Sequence, residues 1–418
     1  MVDRVSTYWM FNRPVSDMNR LQVDMNRTQA QLSTGLRILT PADDPVGSSR
    51  VLQLDQEIAL MDQYERNIIL ANARLAHEEN TLVAVNETVD RIRELAVKAG
   101  NSGVLTEEDR LAISQEVRER VDQLYDLMNT KDASGEYLFA GFSGDNQPFV
   151  QSEGGGFRYD GDEGVRYLQV SKTVTVASSD SGKDVFMDVA AVEPSYSTYG
   201  NPLNTGFPPG VIGAGITLDQ EKLDEFFPND AVITFENTLD VDPPESNFTV
   251  RRKPDGRVVE GMENIPYVSG QNIQFAGMSV KIVGDPSPGD QFVVETSNKQ
   301  SILTTAEKFL YALENYPPGT GFDETYDKAI EQTLGNLDNA IEKVATVTTR
   351  IGARQNTALA VNEQHADNKL AAKSLRSQIR DVDWAEAASR LQMQSVTLQA
   401  AQQSFVQTNQ LSLFNFIR

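Results

Sequence analysis

The sequence predicts an α+β chain. Its N- and C-terminal segments form a long antiparallel helical rod, and a β-rich domain is inserted between them. Three observations predict this. Apolar residues recur every seven positions, at three-and-four spacing, near both ends of the 418-residue chain. No glycine or proline interrupts the stretch from Ser48 to Ala99. From about residue 142 to 295 the period drops to two, amid Gly, Pro and β-branched residues. The expected boundaries are a terminal helical domain over 1–40 plus 380–418, a helical rod domain over 41–141 plus 296–379, and a β-rich domain over 142–295.

In chain order, Phe11, Met18, Met25 and Leu32 form the first sevenfold row, with Pro14, Leu21 and Thr28 between them, so a helix is expected over about 15–33. Arg13, Arg20 and Arg27 repeat at the same interval, and Asp17 and Asp24 each precede an arginine by three, which keeps that ridge wet. Gly35 and Pro41 break the pattern. Asp43, Asp44 and Pro45 then supply capping carboxylates and a proline for the first helical position. Leu54, Met61, Ile68, Leu75, Leu82, Val89 and Ala96 follow without interruption, flanked by Val51, Ile58, Val85 and Ile92. Some 50 residues at ~1.5 Å each predict a rod of roughly 75–80 Å. Glu65, Asn72, Glu79 and Asn86 on the second row point to packing beside several helices and not to a two-stranded zipper.

Gly100-Asn-Ser-Gly103 turns the chain. Thr106-Glu-Glu-Asp109 has the form of a capping box, opening a helix to about Met128 with Ile113, Val117, Val121 and Leu124 as its stripe. After Ser134-Gly135 the period falls to two at Tyr137-Leu-Phe139. The clearest strands lie within Val165 to Val176 and Ile273 to Val294, with turns at Phe157 to Gly161 and at Ile282 to Gly289. Residues 142–295 hold 24 acidic and 10 basic side chains, a local net charge of −14. Helical spacing returns from Ser301 to Leu313 and breaks at Tyr316-Pro-Pro-Gly319. It resumes from Asp323 past Leu375 through Ile330, Leu334, Leu337, Ile341, Val344, Thr348 and Ile351. Trp384, Leu391, Leu398 and Phe405 carry the sevenfold interval into a tail that is uncharged from Leu391 to Ile417.

The composition excludes several functions. A net charge of −23 repels phosphate backbones, so no nucleic-acid partner is expected. No apolar run approaches the ~20 residues of a membrane span, so no membrane partner is expected either. With no cysteine, disulfides and thiolate sites are impossible. The start lacks the apolar core of a cleaved signal peptide, which reads as cytoplasmic unless the chain leaves by a route that cleaves nothing. His77 and His365 each stand alone on a long helix, and Asp160-Gly-Asp-Glu-Gly164 lacks the ligand spacing of a calcium loop. Asp43 and Asp44 are explained by capping. No phosphate loop, nucleophile elbow or dinucleotide fingerprint occurs in a plausible context. The reading is a non-enzymatic protein with no cofactor and no metal.

Two kinds of seam follow. In the long helices, Leu54, Met61, Ile68, Leu75, Leu82, Val89, Ile341 and Val344 are expected to form the internal core of the rod. At the extreme ends two thin helices bury too little to be stable alone. Uncharged Gln, Asn, Ser and Thr mixed with Leu and Phe also suit contacts between identical or similar chains. Phe11, Met18, Leu21, Met25, Leu32, Trp384, Leu391, Leu398, Phe405, Leu411, Leu413, Phe414, Phe416 and Ile417 are therefore candidate assembly residues. The ends are expected to be disordered in the free monomer and to fold on assembly.

Several stretches carry a family resemblance: Arg4-Val-Ser-Thr7, Leu32-Ser-Thr-Gly-Leu-Arg-Ile38, Thr40-Pro-Ala-Asp-Asp-Pro45, Arg93-Glu-Leu-Ala96, Gly135-Glu-Tyr-Leu-Phe-Ala-Gly141, and Leu398 to Phe405 with Leu411 to Phe416. In that order the chain resembles the flagellin-like family of the bacterial flagellum. Tyr159 to Gly164 and Asp180 to Met187 resemble its hook–filament junction branch. Val2 and Asp3 precede the usual start, and about Glu193 to Pro266 matches nothing in the family pattern. The resemblance implies paired terminal helices in an inner core, a helical rod and a β domain pointing outward. It implies export by the flagellar type III apparatus after a cytoplasmic chaperone has covered the C-terminal helix, and then a ring of copies joining hook-associated protein 1 to flagellin. The alternatives are a flagellin that builds the filament itself, or an extracellular enzyme or adhesin carried on a flagellin-like stem.

Overall fold

A computed structural model describes residues 7–101, 106–152, 154–240, 244–316 and 323–414. Its helices are α1 (Thr7–Thr34), α2 (Pro45–Ala99), α3 (Glu107–Met128), α4 (Gln220–Phe226), α5 (Ile302–Asn315), α6 (Asp323–Arg380) and α7 (Trp384–Phe414). Its strands are β1 (Phe149–Gln151), β2 (Phe157–Tyr159), β3 (Tyr167–Gln169), β4 (Thr175–Ala177), β5 (Ala190–Gly200), β6 (Val211–Ile212), β7 (Ile216–Thr217), β8 (Ala231–Phe235), β9 (Asn247–Arg252), β10 (Ile265–Pro266), β11 (Asn272–Phe275), β12 (Met278–Val283) and β13 (Gln291–Lys299). The chain divides into two compact units, Met1–Arg66 with Ala360–Arg418, and Asn67–Leu359. The long helices α2 and α6 contribute residues to both.

In the first unit α2 and α6 run antiparallel. Arg376 Nη1 lies 2.7 Å from Asp55 Oδ1 and Lys369 Nζ 2.9 Å from Glu65 Oε2, so α2 is climbed as α6 is descended. Such exposed pairs contribute only about 0–1 kcal/mol each. The apolar cluster of Leu54, Ile58, Met61 and Ala372, with Ile379 packed against it, does more to hold the helices together. The start of α2 follows its local chemistry: Pro45 is the first helical residue, and Asp44 Oδ1 accepts the Gly47 N–H at 2.8 Å. Helix α1 begins earlier than its sequence predicts. It continues through Pro14, which forfeits one backbone hydrogen bond, whereas proline by itself argues for a first turn.

The helices of the second unit are cross-braced. Thr106 and Asp109 form the reciprocal capping box of α3. Arg91 Nε reaches Glu116 of α3 at 2.7 Å, Arg93 Nε reaches Asp338 of α6 at 2.5 Å, and Ser114 Oγ donates to Glu314 of α5 at 2.9 Å. Leu75, Leu82, Val85, Val89 and Ile92 of α2, Val117 and Leu124 of α3, Phe309 of α5, and Leu337 and Val347 of α6 are all 0% exposed.

The β region carries a five-stranded antiparallel sheet ordered β10-β9-β8-β13-β5, and a smaller sheet in which β12 pairs β11 on one side and β6 and β7 on the other. Alternate residues of β8 and β13 point into a core with Phe235, Phe248, Phe292, Val294 and Met278. Three details differ from the sequence reading. Phe157–Tyr159 is a strand paired with β1, not a turn. Tyr137 makes only an isolated bridge with Lys131, because Leu138 and Phe139 are buried side by side and do not alternate. The segments Lys183–Met187 and Gln220–Phe226 are helical turns within the region read as β, and each is too short to show a period.

Candidate assembly surface

Helices α1 and α7 pack against each other. Their direction is set by a joint at the end of α1. Gly35 takes φ +72°, a conformation that costs a Cβ-bearing residue, and its N–H bonds Gln31 O at 2.9 Å. Val382 N–H then bonds Gly35 O at 2.9 Å, Arg37 N–H bonds Arg380 O at 2.7 Å, and Leu36 bridges Asp381 antiparallel. The end of α1 thus meets the start of α7, and the two helices run antiparallel. Side chains reinforce the joint. Arg37 Nη2 donates to Ile379 O at 2.6 Å, and Gln31 Nε2 to Arg37 O at 2.6 Å. Asp43 Oδ2 accepts the N–H groups of Thr40 at 2.8 Å and Leu39 at 3.0 Å. The Thr40 N–H above all, with the Leu39 N–H and the Arg27 charge, holds the Asp43 carboxyl below its ordinary value.

The seam between the two helices is thin. On α1, Met18, Leu21, Met25 and Leu32 are half-buried, while Thr28 and Gln31 are buried among them. On α7, Leu391 and Phe405 are half-buried and Leu398 is buried at 8% exposure. Trp384 is exposed at the joint, and its ring stands 3.7 Å from where a Cβ on Gly35 would lie. Phe11 lies in α1, and Leu411, Leu413 and Phe414 in α7, at positions whose side chains fall outside the described residues, as do Phe416 and Ile417 entirely.

The seam also includes small and polar residues that the sevenfold row skipped. Ala387 is 0% exposed, and Gln394 and Ala401 are half-buried. Spacing of three and four from Leu391 could have found them. Facing away from the pair are Val23, Met393, Val396 and Val406, with Met393 71% exposed. Along α7 the last ion pair is Arg390 with Glu386, so beyond it this outward face is uncharged, with Met393, Val396 and Val406 set among exposed Gln, Ser and Thr. Such a surface suits association and has no local counter-charge to satisfy.

The candidate rod residues separate by unit. Leu54 and Met61 are buried in the first; Ile68, Leu75, Leu82, Val89 and Val344 are buried in the second, where Ile341 is half-buried. His77 Nε2 lies 3.1 Å from Lys131 O, and His365 stacks on Tyr64 with ring centroids 5.5 Å apart. Among the described residues no group of three or more His, Cys, Asp or Glu is arranged to hold a metal, and no helix is long and apolar enough to cross a membrane.

Comparison with known proteins matches this arrangement at both ends. The bacterial flagellin N-terminal helical region matches residues 5–143, and the bacterial flagellin C-terminal helical region matches residues 334–417. Flagellar hook-associated protein 3 of Salmonella typhimurium is 24% identical over 99% of this chain and 100% of its own length. A flagellin of Clostridium tyrobutyricum is 25% identical over 96% of this chain and 97% of its own. In three dimensions, flagellar hook-associated protein 3 of Legionella pneumophila superposes with a TM-score of 0.53, at 24% identity, over 79% of this chain and 98% of the other, and so shares the fold.

Proposed function

The chain belongs to the flagellin family, and on that premise we propose that it is a structural subunit of the bacterial flagellum acting as the adaptor at the hook–filament junction. The observation that carries the reading is the likeness to hook-associated protein 3 along the whole of both chains, the β region included. The full-length likeness to a flagellin supports the filament subunit as the second reading.

In the adaptor reading, copies of the chain form a ring that joins hook-associated protein 1 on one side to flagellin on the other. Their terminal helices make the inner contacts and residues 142–295 point outward. The uncharged outward face of α7 supports this role: Met393, Val396 and Val406 leave apolar surface that neighbouring subunits would cover. Before assembly, a cytoplasmic export chaperone would shield the same helix, and the chain would leave the cell through the flagellar export apparatus to act outside. The protein performs no catalysis of its own in this reading, in keeping with the structural roles that its relatives' names describe.

Immunogold labelling of flagellated cells tests the choice. A single band between hook and filament is expected, and label along the whole filament would overturn the adaptor in favour of the flagellin. Deleting residues 384–418 is expected to leave cooperative unfolding of the remaining chain intact while filament attachment is lost. Collapse of that unfolding transition would mean that the tail belongs to a private core.

A further inference from the structure

One carboxylic acid in the second unit is shut away from solvent. Glu78 of α2 is 0% exposed. Its Oε1 accepts the Asp180 N–H at 3.1 Å, and its Oε2 is buried without a hydrogen-bond partner. Asp180, itself 3% exposed, engages the Arg354 guanidinium of α6 through both oxygens, at 2.8 and 3.0 Å. None of the other cations nearby is hydrogen-bonded to Glu78, although Arg74 keeps its Nε and Nη2 buried without a partner. Arg350 Nη2 lies 2.8 Å from Asp184 and 3.5 Å from Asp180, and Lys343 Nζ lies 2.8 Å from Asp184. Arg74, one turn before Glu78 on α2, pairs with Asp132 at 3.2 Å and Glu136 at 3.4 Å, and Glu136 is also held by Arg166. A negative charge on Glu78 would therefore stand beside Asp180 with no cation hydrogen-bonded to it. Burial first, and the Asp180 charge second, push the Glu78 carboxyl up to about 8.

Glu78 touches a buried segment. Ser178, Ser179, Asp180 and Ser181 are all buried, and Val185 and Phe186 just beyond them are 0% exposed. Side-chain bonds from Asp180 and Asp184 to Arg354, Arg350 and Lys343 fasten the segment to α6, whereas Glu78 fastens it to α2. We propose that Glu78, Asp180 and Arg354 form an acid-tightened latch that pins residues 178–187 onto α2 and α6. When the segment lifts, Glu78 meets water and titrates near its ordinary value of 4.5. A group whose closed-state value is the higher one favours the closed state fully below its open-state value. That preference is lost as pH rises toward the closed-state value, and it levels off above it. Between those limits the opening equilibrium rises about tenfold per pH unit.

Hydrogen exchange on the full chain tests the latch. Protection of the amides of 180–186, corrected for intrinsic exchange chemistry, is to be followed from mildly acidic to alkaline pH, with β8 as the internal control. The wild type is expected to lose about tenfold protection per pH unit and then to flatten. Glu78→Gln, an uncharged isostere of the protonated acid, is expected to hold acid-level protection throughout. Constant wild-type protection, or an equal slope in Glu78→Gln, would overturn the proposal. If that variant fails to fold, the carbon-13 titration of Glu78 in the wild type decides: a midpoint far above the ordinary carboxylate range supports the latch, and an ordinary one sinks it.

Discussion

The sevenfold row of α2 within the second unit and that of the terminal helices α1 and α7 are written in the same code, yet they end in different environments. Leu75, Leu82 and Val89 are 0% exposed, whereas Met18, Met25, Leu391 and Phe405 are only half-buried. Residue type does not account for the difference, since leucine occurs in both rows. Neighbours do. In the second unit α2 is braced by α3 and α6, and α3 by α5, so an apolar row meets protein on several sides. In the first unit α1 and α7 meet along a single stripe, and most of their other described side chains face water. A heptad thus specifies which side of a helix is apolar, and the number of partners determines how dry that side becomes.

The largest test of this contrast is a matched pair of truncations. Leu82→Ala is expected to cost about 2–5 kcal/mol in urea unfolding, the range for a closed core site that leaves a cavity. Leu391→Ala should cost only about 1 kcal/mol, since part of its surface is already wet. Equal costs would break the comparison and make the terminal pair a true core. Next in size, Gly35→Ala forces a Cβ into φ +72° at the joint of α1 and α7 and should cost about 1–2 kcal/mol by thermal melting. A neutral result would mean that the joint is free to adjust.

A smaller effect is expected at Asp43. Its carboxyl is depressed, so the stability it contributes is present above the ordinary carboxylate value and lost as pH falls through the folded-state value. Wild type and Asp43→Asn should therefore differ in melting temperature at neutral pH and converge in acid. A gap that persists in acid would show that charge is not the cause. Smallest of all in the monomer, Val396→Lys on the outward face of α7 should move stability by less than about 0.5 kcal/mol. The same change is expected to abolish filament attachment, which would show that apolar surface serves the core in the second unit and the assembly at the ends.

Much of this was legible in the residues. Pro45 behind Asp44, the capping box at Thr106 and Asp109 and the break at Gly35 are local chemistry, and each lies where short-range rules place it, whereas the break between α6 and α7 before Trp384 was not read from the sequence. The strand at Phe157–Tyr159 was not legible, because a three-residue strand flanked by glycines has the composition of a turn and is defined by its partner β1. The candidate assembly row was legible only in part. Leu391, Leu398 and Phe405 carry a period, which marks the inner seam, whereas Val23, Met393, Val396 and Val406 stand out only once that seam has been located.

The sequence by itself determined which long segments are helical and that the helical ends enclose an acidic β-rich middle, because caps, breakers and periodicity act over a few residues. It also carried the family likeness. The tertiary structure alone decided that α1 and α7 share one stripe, which of their faces stays open, and that Glu78 and Arg354 both meet the buried Asp180. Each of these depends on residues far apart in the chain, and whether such residues meet is set by packing against several neighbours at once.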